Sequence, residues 1–114
     1  MGVNVSIYRT KKVENWTHED YWINADEIEK TTVEDYFGSD SLSDLLYYSV
    51  IFDRDSHIYY EELYETHVLF KEDIEHVIQV LNKSNPESIY ISKFESLLNL
   101  TDWNKEVLMY LSEF

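Results

Sequence analysis

The sequence predicts an α+β fold: a helix-rich single domain over residues 1–114, with an N-terminal strand in a small sheet and three to five helices. Three observations lead there. Val3, Val5 and Ile7 alternate with Asn4, Ser6 and Tyr8, the period of a half-buried strand. Ile74, Val77, Ile78 and Leu81 recur at the i, i+3, i+4, i+7 spacing of one helical face. Two glycines and one proline leave few loose linkers, and no internal repeat or low-complexity tract divides the chain.

The first strand is expected over Val3–Arg9, ending in the basic turn Thr10-Lys11-Lys12. Met1-Gly2-Val3-Asn4-Val5-Ser6 also fits the permissive template for N-myristoylation, but the alternation favours the strand. Thr17 precedes His18-Glu19-Asp20 as an N-cap with acids in the first turn. Further helical starts stand at Asp26-Glu27-Ile28-Glu29 and Thr32-Val33-Glu34-Asp35. The apolar pattern from Glu14 to Phe37 is thin, so this segment reads as helical and partly irregular, closed by Gly38. Asp40 or Ser41 then caps a helix to Phe52, with Leu42, Leu45, Leu46, Ser49 and Val50 on one face and Tyr47 and Tyr48 flanking it.

Residues 53–70 read as a helix or turn to about Glu65 followed by a short strand, Thr66–Phe70. The helix over 71–83 has Glu72 and Asp73 in its first turn and Lys83 near its end, in keeping with the helix dipole. Asn85-Pro86 stops it. Ser88–Ile91 reads as a short extended link, and Ser92-Lys93-Phe94-Glu95 as a capping box that opens a helix carrying Phe94, Leu97 and Leu98. Asp102 is placed as the cap of a last helix, with Trp103, Val107, Tyr110, Leu111 and Phe114 on one face.

Charge is the dominant feature of the composition. There are 23 acids against 9 bases, a net of −14, beyond the magnitude of roughly 2–8 that suits a small domain. Residues 14–76 hold 18 of the acids and three bases, whereas residues 1–13 hold three bases and no acid. Such a field repels nucleic acid and anionic membrane and attracts basic partners. There is no cysteine, which excludes disulfides and thiolate metal sites. No apolar run reaches the roughly 18 residues of a membrane span, and the first residues lack the apolar core of a secretory signal. The expected location is therefore the cytoplasm of the host cell.

Catalytic and metal chemistry find little support. Nothing matches HExxH or GxSxG, and Gly2 and Gly38 lie too far apart for a phosphate-cradling loop. Read as an EF-hand from Asp53 and Asp55, the loop would put Ile58 where glycine is required and Tyr64 where a bidentate acid is required. His57 with Glu61, and Glu72 with His76, are two-ligand fragments that an acidic chain produces by chance. Paired carboxylates such as Asp53/Asp55, Glu61/Glu62 and Glu72/Asp73 do not form a dyad by spacing. The sequence thus predicts no enzyme, no catalytic residues, no metal and no cofactor. Arg9, Lys11 and Lys12 form the only basic cluster, too little for direct nucleic-acid binding.

Recognition remains. Between residues 14 and 76 the acids interleave with aromatics, among them Trp16, Trp22, Tyr47 and Tyr48. Tyrosine and tryptophan anchor protein interfaces, having large rigid area and a polar tip. The densest stretch is Asp53–Phe70. There Asp53, Asp55, Glu61, Glu62 and Glu65 are expected to form a negative rim, with Tyr59, Tyr60 and Tyr64 divided between core and contact. The expected partner is a basic protein, in particular a nucleic-acid-binding enzyme, and the oligomeric state is left open. A competing reading makes the chain an immunity or regulatory interaction module whose charge serves only solubility. A third, a metal-dependent hydrolase, would need Asp55, His57 and His67 to converge.

The opening Met1-Gly2-Val3-Asn4-Val5-Ser6-Ile7-Tyr8-Arg9 resembles the start of small uncharacterised phage and prophage proteins. So does Phe70-Lys71-Glu72-Asp73-Ile74 leading into Val77-Ile78 and Leu81. The resemblance implies a mobile-element context. In composition the chain is similar to anti-restriction and anti-CRISPR proteins, and to immunity proteins that neutralise basic nuclease toxins.

Overall fold

The computed structural model describes residues 3–36, 40–51 and 66–113. Among these, four strands form one antiparallel sheet in the order β2-β1-β4-β3: β1 is Asn4–Lys11, β2 Lys30–Tyr36, β3 Thr66–Leu69 and β4 Glu106–Glu113. The helices are α1 (His18–Ile23), α2 (Asp40–Leu46), α3 (Lys71–Ser84) and α4 (Ile89–Leu100). A 3-10 turn, Ala25–Glu27, follows α1, and a π-helical turn, Tyr47–Ile51, continues α2. The architecture is α+β, as the sequence predicts.

The sheet is covered on both faces, and alternation along each strand decides which residue goes where. On β4, Leu108 and Tyr110 point to one face while Val107 and Met109 point to the other. The first face also takes Val5, Ile7 and Leu69. It packs under α2, α3 and α4 through Leu42, Leu46, Ile74, Val77, Leu81, Phe94 and Leu97. The second face is smaller. Val68, Val107 and Met109 are covered by Tyr21 and Ala25, with Tyr8, Trp16, Ile28 and Phe70 at the edges. No helix among the described residues is long and apolar enough to cross a membrane.

Several expectations hold. The first strand forms, and the cap at Thr17 is reciprocal: Asp20 N–H donates to Thr17 Oγ1 at 3.3 Å, and Thr17 N–H donates to Asp20 Oδ2 at 2.9 Å. The turn before it passes through Asn15 at φ 66°, a left-handed conformation that asparagine tolerates better than most residues. Helix α3 spans the expected residues, with Ile74, Val77 and Leu81 buried and the Asp73 carboxylate accepting the Phe70 N–H at 2.8 Å. The strand after Glu65 is present as β3.

Four expectations are corrected. The basic turn Thr10-Lys11-Lys12 is largely strand, because β1 pairs with β4 through Lys11 opposite Glu106. Thr32-Val33-Glu34-Asp35 opens no helix but lies in β2, where threonine and valine suit the pleat and pairing with β1 satisfies the backbone. The link Ser88–Ile91 is the start of α4: Ser88 is the N-cap, accepting from Tyr90 N–H at 3.2 Å, and Ser92 sits inside the helix with Oγ donating to the Ile89 carbonyl at 3.2 Å. The last helix, with Val107, Tyr110 and Leu111 on one face, is instead the central strand β4. A central strand buried on both sides loses the polar–apolar alternation that marks strands in sequence. Asp102 does not cap a helix; its Oδ1 accepts Asn104 N–H at 3.2 Å in the turn that leads into β4. Phe37, Gly38, Phe52 and Phe114 lie outside the described residues.

Candidate functional site

Charge is segregated along the fold. The layer over the smaller face, residues 14–29, carries Glu14, Glu19, Asp20, Asp26, Glu27 and Glu29 and no lysine or arginine. Five of these are exposed; Asp20 is half-buried because it caps α1. The layer is short of apolar residues, so its helix is only six residues long and is held down mainly by Tyr21. Tyr21 is buried against Trp16 at 5.0 Å and Phe70 at 5.8 Å, both edge-on, and its hydroxyl accepts the Val13 N–H at 2.8 Å. The carboxylates therefore stand on a firm but thin plate and face outward. Like charges gathered on one layer repel one another and project a negative field.

Beside the acids the same plate offers apolar surface. Ile23 at the end of α1 is 66% exposed. Trp22 stacks on His67 with centroids 6.4 Å apart and planes 6° apart, and its buried indole N–H has no acceptor. On the other layer Tyr47 is buried whereas Tyr48 is 60% exposed, the two rings meeting edge-on at 5.0 Å.

The bases gather elsewhere. Arg9, Lys11, Lys12, Lys30 and Lys105, five of the nine, meet where β1 ends, β2 begins and the turn before β4 returns. Sequence reading finds only the first three, because Lys30 and Lys105 arrive through strand pairing. Between described residues one ion pair is seen, Arg9 Nε to Glu106 Oε2 at 3.6 Å, with both side chains about a third exposed and so of little energetic weight.

The predicted contact residues Asp53, Asp55, Tyr59, Tyr60, Glu61, Glu62, Tyr64 and Glu65 lie outside the described residues, as does His57. His67 is 1% exposed and lies between the rings of Trp22 and Tyr110, the latter at 5.6 Å. Glu72 and His76 are both exposed on α3. Among the described residues no three of His, Asp and Glu gather to hold a metal ion. Tyr36, at the end of β2, has its hydroxyl buried without a partner and its ring edge-on to Tyr90 at 5.6 Å. Burial, and then the nearby Glu34 and Tyr90, push its pKa up to about 12.

Comparison with protein families, with curated proteins and with solved structures finds no match, so the functional reading rests on this chain's own residues.

Proposed function

We propose that this chain is a non-enzymatic, acidic, protein-binding inhibitor. Its carboxylates stand in for backbone phosphates and occupy the basic nucleic-acid-binding surface of a target protein in the cytoplasm of a host cell. The observation that supports this reading best is the acidic plate: residues 14–29 hold six acids and no base, and five of the six are exposed on one layer of the fold. A charge used for solubility alone gives no reason for residues 14–29 to hold six acids and no base while five of the nine bases meet at the border of that layer. The rim of Asp53, Asp55, Glu61, Glu62 and Glu65 belongs to the same proposal and extends the negative stretch in sequence. The resemblance of the opening residues to phage proteins makes a defence nuclease the target class of choice, in an anti-CRISPR or anti-restriction role.

The test is inhibition of purified restriction and CRISPR nucleases, with affinity measured from about 0.05 to about 0.3 M salt. Phosphate mimicry predicts competition with DNA and a steep loss of affinity with salt. Amide substitutions at Glu14, Glu19, Asp26, Glu27 and Glu29, and separately at Glu61, Glu62 and Glu65, should each weaken binding. Affinity indifferent to salt and to both sets would sink the proposal.

Exposed Ile23 beside Trp22 favours a second reading, an immunity or regulatory module that binds through apolar contacts. In that case Ile23→Ser abolishes binding while the amide substitutions leave it intact.

A further inference from the structure

The basic corner holds an open groove of about 720 Å³, within the size range of small-molecule sites. Its lining carries four bases, Arg9, Lys11, Lys30 and Lys105, against three acids, Glu29, Asp102 and Glu106. These charges are not equally available. Lys30 Nζ donates to the carbonyls of Ala25 and Ile28. Glu106 faces Arg9 and accepts the Asp102 N–H at 3.4 Å, while Asp102 accepts the Asn104 N–H. The ammonium groups of Lys11 and Lys105 make no hydrogen bond or ion pair with a described residue. Arg9 Nε is buried and has no hydrogen-bond acceptor, since Glu106 stays at 3.6 Å.

The frame around these donors is fixed by the main chain. Lys12 N–H donates to the Lys105 carbonyl at 2.8 Å, and Lys105 N–H to the Asp102 carbonyl at 2.9 Å. Thr10 Oγ1, buried, donates to the Glu29 carbonyl at 2.7 Å and ties β1 to the start of β2. Lys11, Lys105 and Arg9 all line this space, and two ammonium groups with a guanidinium suit the several acceptor oxygens of a phosphate. The rest of the chain decides the size of the ligand. A nucleic-acid strand or an acidic peptide would run out of the groove into a field set by a net charge of −14, whereas a compact anion stays within the corner.

We propose that this groove binds a small phosphate-class anion, a phosphate monoester or diphosphate, with Lys11, Lys105 and Arg9 as its donors. The groove borders the acidic plate at Glu29 but takes its donors from Lys11, Lys105 and Arg9, so its loss leaves the other five acids of the inhibitor reading untouched.

The experiment titrates the full chain with inorganic phosphate and with pyrophosphate at constant ionic strength, following backbone amide shifts by NMR, with chloride as the control. Saturable shifts confined to residues 9–12, 29–31 and 102–106 are expected, with pyrophosphate the tighter ligand. Lys11→Gln with Lys105→Gln should weaken binding about tenfold. Arg9→Lys should weaken it by less, because charge is kept and the fork is lost. Thermal unfolding of each variant shows that it is folded. Shifts that grow linearly, that chloride reproduces, or that persist in the double variant overturn the proposal. So does a DNA oligonucleotide that binds the corner more tightly than pyrophosphate.

Discussion

The two faces of the sheet are built from the same strands and do different work. On one, α2, α3 and α4 close over a deep apolar core that includes Phe94, Ile74, Leu108 and Tyr110. On the other, a six-residue helix and a 3-10 turn cover Val68, Val107 and Met109 with little more than Tyr21 and Ala25. The thick layer supplies most of the buried area, and hydrophobic stabilisation scales with that area. The thin layer carries the unmixed acids and so adds repulsion where there is least packing to oppose it. A protein that must present a negative surface can concentrate the strain there, provided that the opposite face holds the fold.

The two layers should respond differently to substitution. The largest effect is expected in the thick layer. Phe94→Ala, at a site 1% exposed, should cost about 3–5 kcal/mol in urea unfolding and lower protection from hydrogen exchange throughout the sheet. A loss under about 1 kcal/mol would mean that the thick layer is not the main support. Next comes Tyr21→Phe, which removes the hydroxyl that accepts the Val13 N–H and donates to the Val13 carbonyl. It should cost about 0.5–1.5 kcal/mol per bond lost, with exchange rising over residues 13–29 and not in α3. Thr17→Ala should cost about 1 kcal/mol by removing the cap of α1, again as a local change. Added salt should raise the stability of the wild type and of all three variants by screening the acids, which each of them retains.

The last effect is zero at neutral pH and appears only in alkali. Tyr36 keeps its proton in the folded state to about pH 12 and in the unfolded state to about pH 10. Between these values the unfolded chain binds fewer protons than the folded one, so stability falls as pH rises through this window and is intact below it. Tyr36→Phe should flatten that fall, seen as a smaller drop in Tm between about pH 10 and about pH 11.5. An unchanged slope would place the titration elsewhere.

Legibility follows the same division. Helix α3 is plain in the sequence because one face is solvated and the other buried, so its apolar residues keep the helical period. Strand β1 is plain for the same reason at period two. Strand β4 is hidden because Val107, Leu108, Met109 and Tyr110 are buried on both sides, and a continuous apolar run fits a helix as readily as a strand. Strand β2 is hidden for the opposite reason: as an edge strand it is mostly polar, and its acids imitate a helix start. Ser88 and Ser92 are four residues apart, so either suits a helix N-terminus, and only the backbone shows that Ser88 is the cap.

The fold class, the α3 stripe, the cap at Thr17 and the segregation of acid along the chain are legible in the residues alone, since each is local or a matter of counting. The tertiary structure decided which residues share a face and which charges share a corner. Lys30 and Lys105 reach Arg9 and Lys11 only because β2 and β4 both pair with β1. Such pairing is set by register between distant segments, and no local periodicity encodes it.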